Sequence, residues 1–465
     1  MKTYQDLEKA IAKGRTGDFL LEAVRDHQGS KAYKDAVAGQ EYYNKHNTTV
    51  ERYVKVLHTL SGRSVPDIFS ANWKLKSLAF RRLVQQQCGY VLANGMQMDG
   101  KDRLGAGFDN KLMQAAKKAL SQGVAYGYWN NDHVEIFSFA DTPNSPGFVP
   151  LCDENTSEMK AGIRYWFRTA GNDTIFRATL YTLEGVAEWG GTQGKDIVEL
   201  SPTRGYKRHT LRNEAMGVID QCDENYTRLP IAILWGNDTH ESELVGLREK
   251  IDCYDLIESG LANNIDDASE IYWILTNTGG MDDVDLAQFL QRIRTAHGAV
   301  VDGSDGVKAD AHTMQIPTEA RKTMLEILRK DIYEDAQMLD VVSFASGEKT
   351  TVEINAAYQG QDNKCADFEY SLIDFIEQIC DIAGIQNPEP KFIWNKVINQ
   401  REQTEMVLAA APYLDEEAVL SKLPWLLPEE VDEILKRKSA EELDRRDDEP
   451  EENPEGKQEE ENESV

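Results

Sequence analysis

The residues of this chain best suited to metal or nucleophile chemistry are its eight histidines and six cysteines, and their spacing supplies neither. Cys88, Cys152, Cys222, Cys253, Cys365 and Cys380 form no C-x-x-C pair. A disulfide framework or zinc site is therefore not expected, and a reducing compartment fits. "WGGTQGKD" (Trp189–Asp196) contains Gly-Lys, but Asp196 stands where a phosphate loop needs Ser or Thr, so it reads as a hairpin turn. "LGAGFDN" lacks the third glycine of a dinucleotide fingerprint and no clear strand precedes it. "HVE" (His133–Glu135) has no P-C-x-x-C after it, and "HESEL" (His240–Leu244) lacks the second histidine of a zinc-protease helix. "DGSDG" is not a nucleophile elbow. "IDD" (Ile265–Asp267) and "MDD" (Met281–Asp283) have the oxygens a hard cation takes, but helix capping and solvation account for them better. No catalytic residue, metal or cofactor is expected. "TRGYKRHTLR" (Thr203–Arg212) is the most basic stretch; a balanced surface on an acidic protein explains it better than a dedicated acidic partner.

With no site in view, the elements themselves become the question. From Ser242 onward Leu247, Ile251, Tyr254, Ile257, Leu261, Ile265 and Ala268 follow at three- and four-residue steps. That predicts a helix of about seven turns, on the order of 40 Å long. Its apolar stripe is narrow and is flanked by Arg248, Glu249, Lys250, Asp252, Asp255 and Glu258, which suits packing against one or two neighbouring helices. "EIYWILTNTGG" then reads as strand and turn, "DDVDLAQFLQRIRTA" as a short helix, and "HGAVVDGSDGVKADAHTMQIP" as strand, turn, strand. A second helix starts at Pro317, a favoured first-turn position, with Met324, Ile327, Leu328, Ile332 and Tyr333 on one face. The order is helix out, small α/β knob, helix back.

The flanking regions differ in texture. Residues 1–95 read mostly as helix, with one long helix expected from about Asn72 to Asn94-Gly95. Residues 124–236 carry short β-branched and aromatic runs such as "HVEIFSFA", "AGIRYWFRTA" and "RLPIAILWGN", and predict a largely antiparallel β region. Beyond Asp340, a loop around Ser343–Thr351 leads into a long helix, and short helices joined at Pro412, Pro424 and Pro428 follow. No run of about 18 apolar residues appears, so no membrane span is expected, and the charged start "MKTYQDLEKAIAKG" has no apolar signal core. The formal net charge is −29; Ala440–Val465 holds 13 acidic and 3 basic residues, almost nothing apolar, and is expected to be disordered. The remainder is acidic too, a surface that repels nucleic acid.

This order of elements resembles that of the portal proteins of tailed bacteriophages, particularly the siphophage type. "QEYYNKHN" (Gln40–Asn47) is similar to the family's early Tyr-Tyr segment, "RRLVQQQCGYVLANG" (Arg81–Gly95) to its helix ending in an aromatic and a glycine, and "SQGVAYGYW" (Ser121–Trp129) to its Gly-Ala-Tyr entry into the β region. "RLPIAILWGND" followed by "SELVGLREKIDCYDLIESGLANNIDD" resembles the Pro-led strand, Asn-containing turn and helix with an Ile-Asp-x-Tyr-Asp core. "LDEEAVLSKLPWLLPEEVDEILKRK" is similar to the late Leu-Pro segment, and the resemblance runs from about Gln40 to Lys438. The segment around "SFASGEKTTVEINAAY" departs from the small-residue stretch usual there.

The resemblance implies an α+β portal fold assembled as a ring. It implies a wing, helical over 1–120 and β-rich over 121–240; a stem helix, 241–269; a clip, 270–316; a returning stem helix, 317–340; a tunnel loop, 341–358; and a tunnel helix and crown, 359–438; the acidic tail takes 439–465. Leu247, Ile251, Tyr254, Ile257, Leu261 and Ile265 would pack stems together, and Tyr272, Trp273, Phe289 and Arg292 would bind partners at the clip. Ser343, Phe344, Ser346, Glu348, Lys349 and Thr350 would face DNA, as would isolated basic rings of Arg321, Lys322, Arg329 and Lys330; salt bridges with neighbouring acids explain those four cations equally well. The implied partners are eleven further copies in a 12-mer, the major capsid or scaffolding protein, the terminase large subunit, a neck adaptor and transient double-stranded DNA, within a virion assembled in the bacterial cytoplasm. Two other readings stay open: a different ring or adaptor component of a phage particle, and an intracellular acidic enzyme with a helical arm.

Overall fold

The computed structural model describes residues 2–58, 63–66, 71–142, 145–171, 173–192, 196–213, 217–268, 272–276, 291, 308–312, 317–344, 351–395, 400–423, 426, 430–431 and 433–438. The chain divides into two units, one of residues 1–344 with 360–395 and one of 345–359 with 396–465.

The first unit opens with four helices: α1 (Tyr4–Ala12), α2 (Thr16–Gly29), α3 (Lys31–Tyr43) and α4 (Thr48–Arg52). Side-chain caps fix where three of them begin. Thr3 and Asp6 form a capping box on α1, the Ser30 hydroxyl accepts the Tyr33 amide, and Asn47 Oδ1 accepts the amides of Thr49 and Val50. A small antiparallel pair, β1 (Val56–His58) and β2 (Ser64–Pro66), follows. Then come α5 (Ala79–Leu92), β3 (Met96–Gln97) and α6 (Phe108–Gln122).

The expected β region is present from Val124 to Trp235. Strands β4 (Val124–Asn130), β5 (His133–Ser138), β6 (Gly147–Cys152), β7 (Met159–Ala170), β8 (Asp173–Thr182), β9 (Gly185–Thr192), β10 (Val198–Arg204) and β13 (Ile231–Trp235) make one eight-stranded sheet, in the order β10-β9-β8-β7-β6-β5-β4-β13. It is antiparallel apart from a single parallel bridge, Ser138 to Gly147, between β5 and β6. Among the described residues, strands β11 (Lys207–Asn213) and β12 (Gly217–Glu224) pair only with each other. Among the described residues, two apolar clusters pack on the sheet. In one, Leu7, Phe19, Leu20 and Val24 from α1 and α2 meet Val149, Ile163, Tyr165 and Phe176. In the other, Tyr126, Tyr128, Phe137, Phe148, Tyr181 and Ile231 pack with Ala36 of α3. One sheet edge, β13, is blocked by a side chain: Ile233 N donates to Gln378 Oε1 at 3.0 Å, and Gln378 Nε2 returns to the Ile233 carbonyl at 3.5 Å. The other edge, β10, is bulged and contains Pro202, so it too resists pairing.

After the sheet come α7 (Arg248–Ala268), the antiparallel pair β14 (Tyr272–Thr276) and β15 (Lys308–His312), then α8 (Thr318–Asp335) and the short α9 (Val341–Phe344). Helix α10 (Thr351–Ala383) crosses from the second unit into the first, where Phe368, Leu372, Phe375, Ile376 and Ile379 are buried. Strand β16 (Lys391–Phe392) closes the first unit on β3. The second unit holds α11 (Gln400–Ala410) and α12 (Glu416–Ser421), with Pro412 in a 3₁₀ turn between them.

Three expectations change. The helix expected from Asn72 begins at Ala79; residues 71–78 are not helical, because side chains of α7 hold their backbone, as described below. The helix expected from Ser242 begins at Arg248: Ser242 Oγ takes the Leu244 amide at 3.2 Å, and turns occupy the residues between. Its 21 residues span about 31 Å, shorter than the stripe suggested. The span 341–358 expected as loop is helical at 341–344 and again from Thr351. The short helix expected over residues 282–296 lies outside the described residues except Gln291, as do Pro424, Pro428 and the acidic tail.

Candidate functional site

The helices α7 and α8 run antiparallel and are pinned near both ends. At one end Lys250 Nζ pairs with Asp335 at 2.6 Å and Asp331 at 3.9 Å. The hydrogen bond to Asp335 holds the Lys250 ammonium above its usual range. At the other end, with its amide oxygen turned inward, Asn264 accepts from the Arg321 guanidinium at 3.0 and 2.8 Å.

The face that α7 buries within its own chain is only partly the apolar stripe. Leu247, Ile251, Asp255, Ser259 and Asn263 are all buried, and they stand four residues apart. The last three are polar and grip the extended chain at residues 73–77. Asn263 Oδ1 accepts the Trp73 amide at 2.6 Å and its Nδ2 donates to the Trp73 carbonyl at 3.3 Å. Ser259 Oγ accepts the Leu75 amide at 2.9 Å and donates to the Leu75 carbonyl at 3.2 Å. Asp255 Oδ1 accepts the Ser77 amide at 3.0 Å. The match is geometric: four helical residues rise about 6 Å, close to two residues of extended chain at about 6.6 Å. Three side chains therefore do for this segment what a neighbouring strand would do, which is why 71–78 does not join α5.

Asp252 and Asp255 also hold the turn before α4. Tyr42 Oη donates to Asp252 at 2.5 Å, Thr49 Oγ1 to Asp252 at 2.7 Å, and Asn47 Nδ2 to Asp255 at 2.8 Å. Burial, then the Asp252 hydrogen bond, raises the Tyr42 hydroxyl; burial raises the Asp255 carboxyl against the lowering effect of its donors. The Tyr-Tyr segment and the Ile-Asp-x-Tyr-Asp core, two hundred residues apart in sequence, are thus one contact. Sequence reading placed Asp255 on the solvated flank of α7. The missed signal is a row of short hydrogen-bonding side chains at four-residue spacing, Asp255, Ser259 and Asn263.

Along the rest of the stripe, Tyr254, Ile257 and Leu261 are half-buried, and Ile265 is 55% exposed. Beside them Glu249, Asp252, Leu256, Ile257, Met324 and Arg321 line an open groove of about 750 Å3 between α7 and α8, with Tyr53 at its wall. Of the four cations of α8, Arg329 makes a two-pronged pair with Asp340 (3.1 and 2.9 Å), which raises its guanidinium further. Lys330 lies 3.4 Å from Glu334, Arg321 is held by Asn264, and Lys322 is exposed. Tyr272 and Trp273 stand at the start of β14, opposite His312 and Ala311. Ser343 and Phe344 end α9; Phe289, Arg292, Ser346, Glu348, Lys349 and Thr350 lie outside the described residues.

The other motifs have structural places. His240 stacks on Trp235 at 3.8 Å between ring centroids, and His133 pairs with Asp132 at 2.6 Å. Burial pushes the Cys88 and Cys365 thiols up to about 12 and Cys380 to about 11, which keeps them as unreactive thiols near neutral pH. Among the described residues, no helix is long and apolar enough to cross a membrane.

The sequence is similar to those of known portal proteins. The portal protein of Clostridium phage phiCD119 is 28% identical over 434 residues, covering 87% of this chain and 92% of its own length. The portal protein of Bacillus phage SPP1 is 22% identical over 351 residues, covering 71% of this chain and 65% of its own. A family model described as phage portal protein, SPP1 Gp6-like, matches residues 77–443, which spans α5 through the last described helix, so the chain belongs to that family of phage portal proteins.

Proposed function

We propose that twelve copies of this chain form the ring at one vertex of a phage head, and that double-stranded DNA enters and leaves through its centre. In this reading α7 and α8 are the stem, and the β14–β15 region is the clip that docks the terminase motor and later a neck adaptor. Residues near Ser343–Thr351 would approach the DNA, and the capsid or scaffolding protein would surround the ring. The observation that carries the reading is the antiparallel α7–α8 pair with a strand pair set between its helices in sequence, within a chain of the portal family. Such a pair packs side by side around an axis using the half-exposed Ile257, Leu261 and Ile265.

Electrostatics support the same reading. Each phosphate that a protein neutralises adds affinity and slows release, so a conduit works best when it binds DNA weakly. A chain at −29 supplies that property. The ion pairs of Arg329 and Lys330 reduce what those side chains would offer to DNA, leaving Lys322 and Arg321 as the stronger candidates for a basic ring. Supplying this chain in cells infected by its phage with the portal gene interrupted should restore DNA-filled heads. Heads that stay empty or unassembled with intact protein present overturn the reading. In the same assay, neutralising Arg321 and Lys322 should lower the packaged DNA; unchanged packaging removes the basic ring while leaving the conduit.

A further inference from the structure

A half-buried lysine in the first unit has a hydroxyl where a carboxylate would be usual. Lys118, on α6, donates from Nζ to the Oγ of Ser138, the last residue of β5, which is fully buried. Ser138 Oγ in turn lies 3.0 Å from Ser145 Oγ, and either hydroxyl can be the donor. An ammonium taken out of water normally brings a carboxylate with it. Among the described residues Lys118 has no such partner, and burial alone holds its ammonium below the usual lysine range. That shift moves the group toward the neutral amine, the form that can take a proton.

The outer serine is held in place and lines an open pocket. Ser145 N donates to the Thr142 carbonyl at 3.1 Å, and the Ser145 carbonyl accepts from Thr142 N at 2.9 Å. Pro146 restricts it to extended backbone. Gly147 then pairs with Ser138 across the parallel bridge; a Cβ there would lie 2.6 Å from the Tyr165 ring. The pocket, of about 690 Å3, is also walled by Asp141, Arg164, Trp166 and Arg168. Asp141 Oδ1 is occupied by the Tyr33 and Tyr165 hydroxyls at 2.5 and 2.7 Å, and Arg164 pairs with Glu135 at 3.3 Å. Arg168 is exposed and has no ion pair among the described residues. Trp166, 37% exposed, adds a flat apolar wall. From pocket to interior the order is hydroxyl, hydroxyl, amine. The three come from α6, β5 and the turn before β6, so no sequence motif marks them.

We propose that Ser145 is a nucleophile for acyl transfer, served through Ser138 by Lys118, and that it takes esters whose acyl group carries an anion for Arg168. Ser145 Oγ attacks the ester carbonyl carbon. Its proton passes to Ser138 Oγ, and the Ser138 proton passes to the Lys118 amine. The bond from that carbon to the departing oxygen breaks, and the alkoxide takes a proton back from Lys118 along the same path. An acyl-Ser145 ester and a free alcohol result. Water attacking through the same relay restores the serine and releases a carboxylic acid. The inference uses neither the stem nor the ring.

The test treats full-length protein with the mono-p-nitrophenyl ester of terephthalic acid, which joins an aromatic acyl group to a carboxylate. A burst of p-nitrophenolate is expected, and mass spectrometry should find the terephthaloyl group on Ser145. Acyl groups on lysines alone, with Ser145 unmodified, overturn the proposal. Lys118→Met and Ser138→Ala should each slow acylation of Ser145 by about a hundredfold or more. Unchanged rates in a folded variant overturn the relay. Should one variant fail to fold, the other and the wild-type pH profile decide. With Lys118 as proton acceptor the acylation rate levels off below the usual lysine range. A rate that keeps climbing in proportion to hydroxide overturns that role. The neutral p-nitrophenyl benzoate should react more slowly than the terephthalate, and Arg168→Gln should remove the difference. Equal rates in the wild type overturn the part given to Arg168.

Discussion

Replacing Asp255 with alanine should detach the extended segment 73–77 from α7, and the size of the effect follows from the bonds removed. Asp255 is 1% exposed and accepts from Ser77 N at 3.0 Å and Asn47 Nδ2 at 2.8 Å. A hydrogen bond to a charged group contributes roughly 1.5–3 kcal/mol, and a buried donor left without a partner costs about 1–3 kcal/mol. Asp255→Ala therefore destabilises the segment by about 3–5 kcal/mol. Asp255→Asn is milder, about 1–3 kcal/mol. Its oxygen can keep the Ser77 amide, but its NH2 then faces that of Asn47. Asn47 cannot turn to relieve this, since its own oxygen already accepts from Thr49 N and Val50 N. Hydrogen exchange of peptides covering 71–80 reads the effect directly. At about 1.36 kcal/mol per decade, Asp255→Ala should speed exchange of the Ser77 amide a hundredfold or more. The pH dependence has a definite sign. The folded carboxyl is raised by burial, so its stabilising contribution is complete below the unfolded value and is lost as pH rises through the folded one. The stability gap between wild type and Asp255→Asn should widen on acidification from pH 7 toward pH 4. Unchanged exchange at 73–77 in Asp255→Ala, or a gap that narrows on acidification, refutes the role assigned to this carboxylate.

Other consequences follow from the same packing. Ser259→Ala and Asn263→Ala should each cost about 1–2 kcal/mol and raise exchange at Leu75 and Trp73 respectively, because each removes a reciprocal donor–acceptor pair. His27 is fully buried among Tyr33, Phe139 and Tyr165 near Asp141, donates to the Phe139 carbonyl at 3.1 Å, and is held down to about 4 by desolvation. Its contribution is present above the unfolded value near 6.5 and is lost as pH falls toward 4, up to about 3 kcal/mol. His27→Gln should flatten the acid side of the melting-temperature profile relative to wild type, and an unchanged profile contradicts this. Gly39→Ala places a methyl against the Ser121 carbonyl between α3 and α6 and should lower stability by about 1–3 kcal/mol; a neutral melt would show that this packing is looser than described.

Much of the architecture was readable from residue order. Alternating aromatic and β-branched runs between turn residues marked the sheet from Val124 to Trp235, and Pro317 marked the start of α8, because both signals are local. The failures share one cause. The segment from Asn72 to Leu78 has helical spacing, yet its backbone bonds go to Ser259 and Asn263, nearly two hundred residues away. Asp255 has the look of a solvated flank, yet Asn47 and Ser77 bury it. Hydrophobic periodicity cannot register a helix face that is buried through polar side chains. The pairing of Arg329 with Asp340 is likewise a product of the turn after α8, with Gln337 in a left-handed conformation, rather than of helical spacing. The family resemblance in the Tyr-Tyr and Ile-Asp-x-Tyr-Asp segments was visible early, but that the two segments touch was not.

The most direct test of the central claim is the mass and top-view symmetry of the purified full-length protein, by light scattering and negative-stain imaging, alone and co-expressed with its capsid proteins. The account predicts rings of about a dozen copies around an open hole. A chain that remains a monomer or dimer in both settings would contradict it.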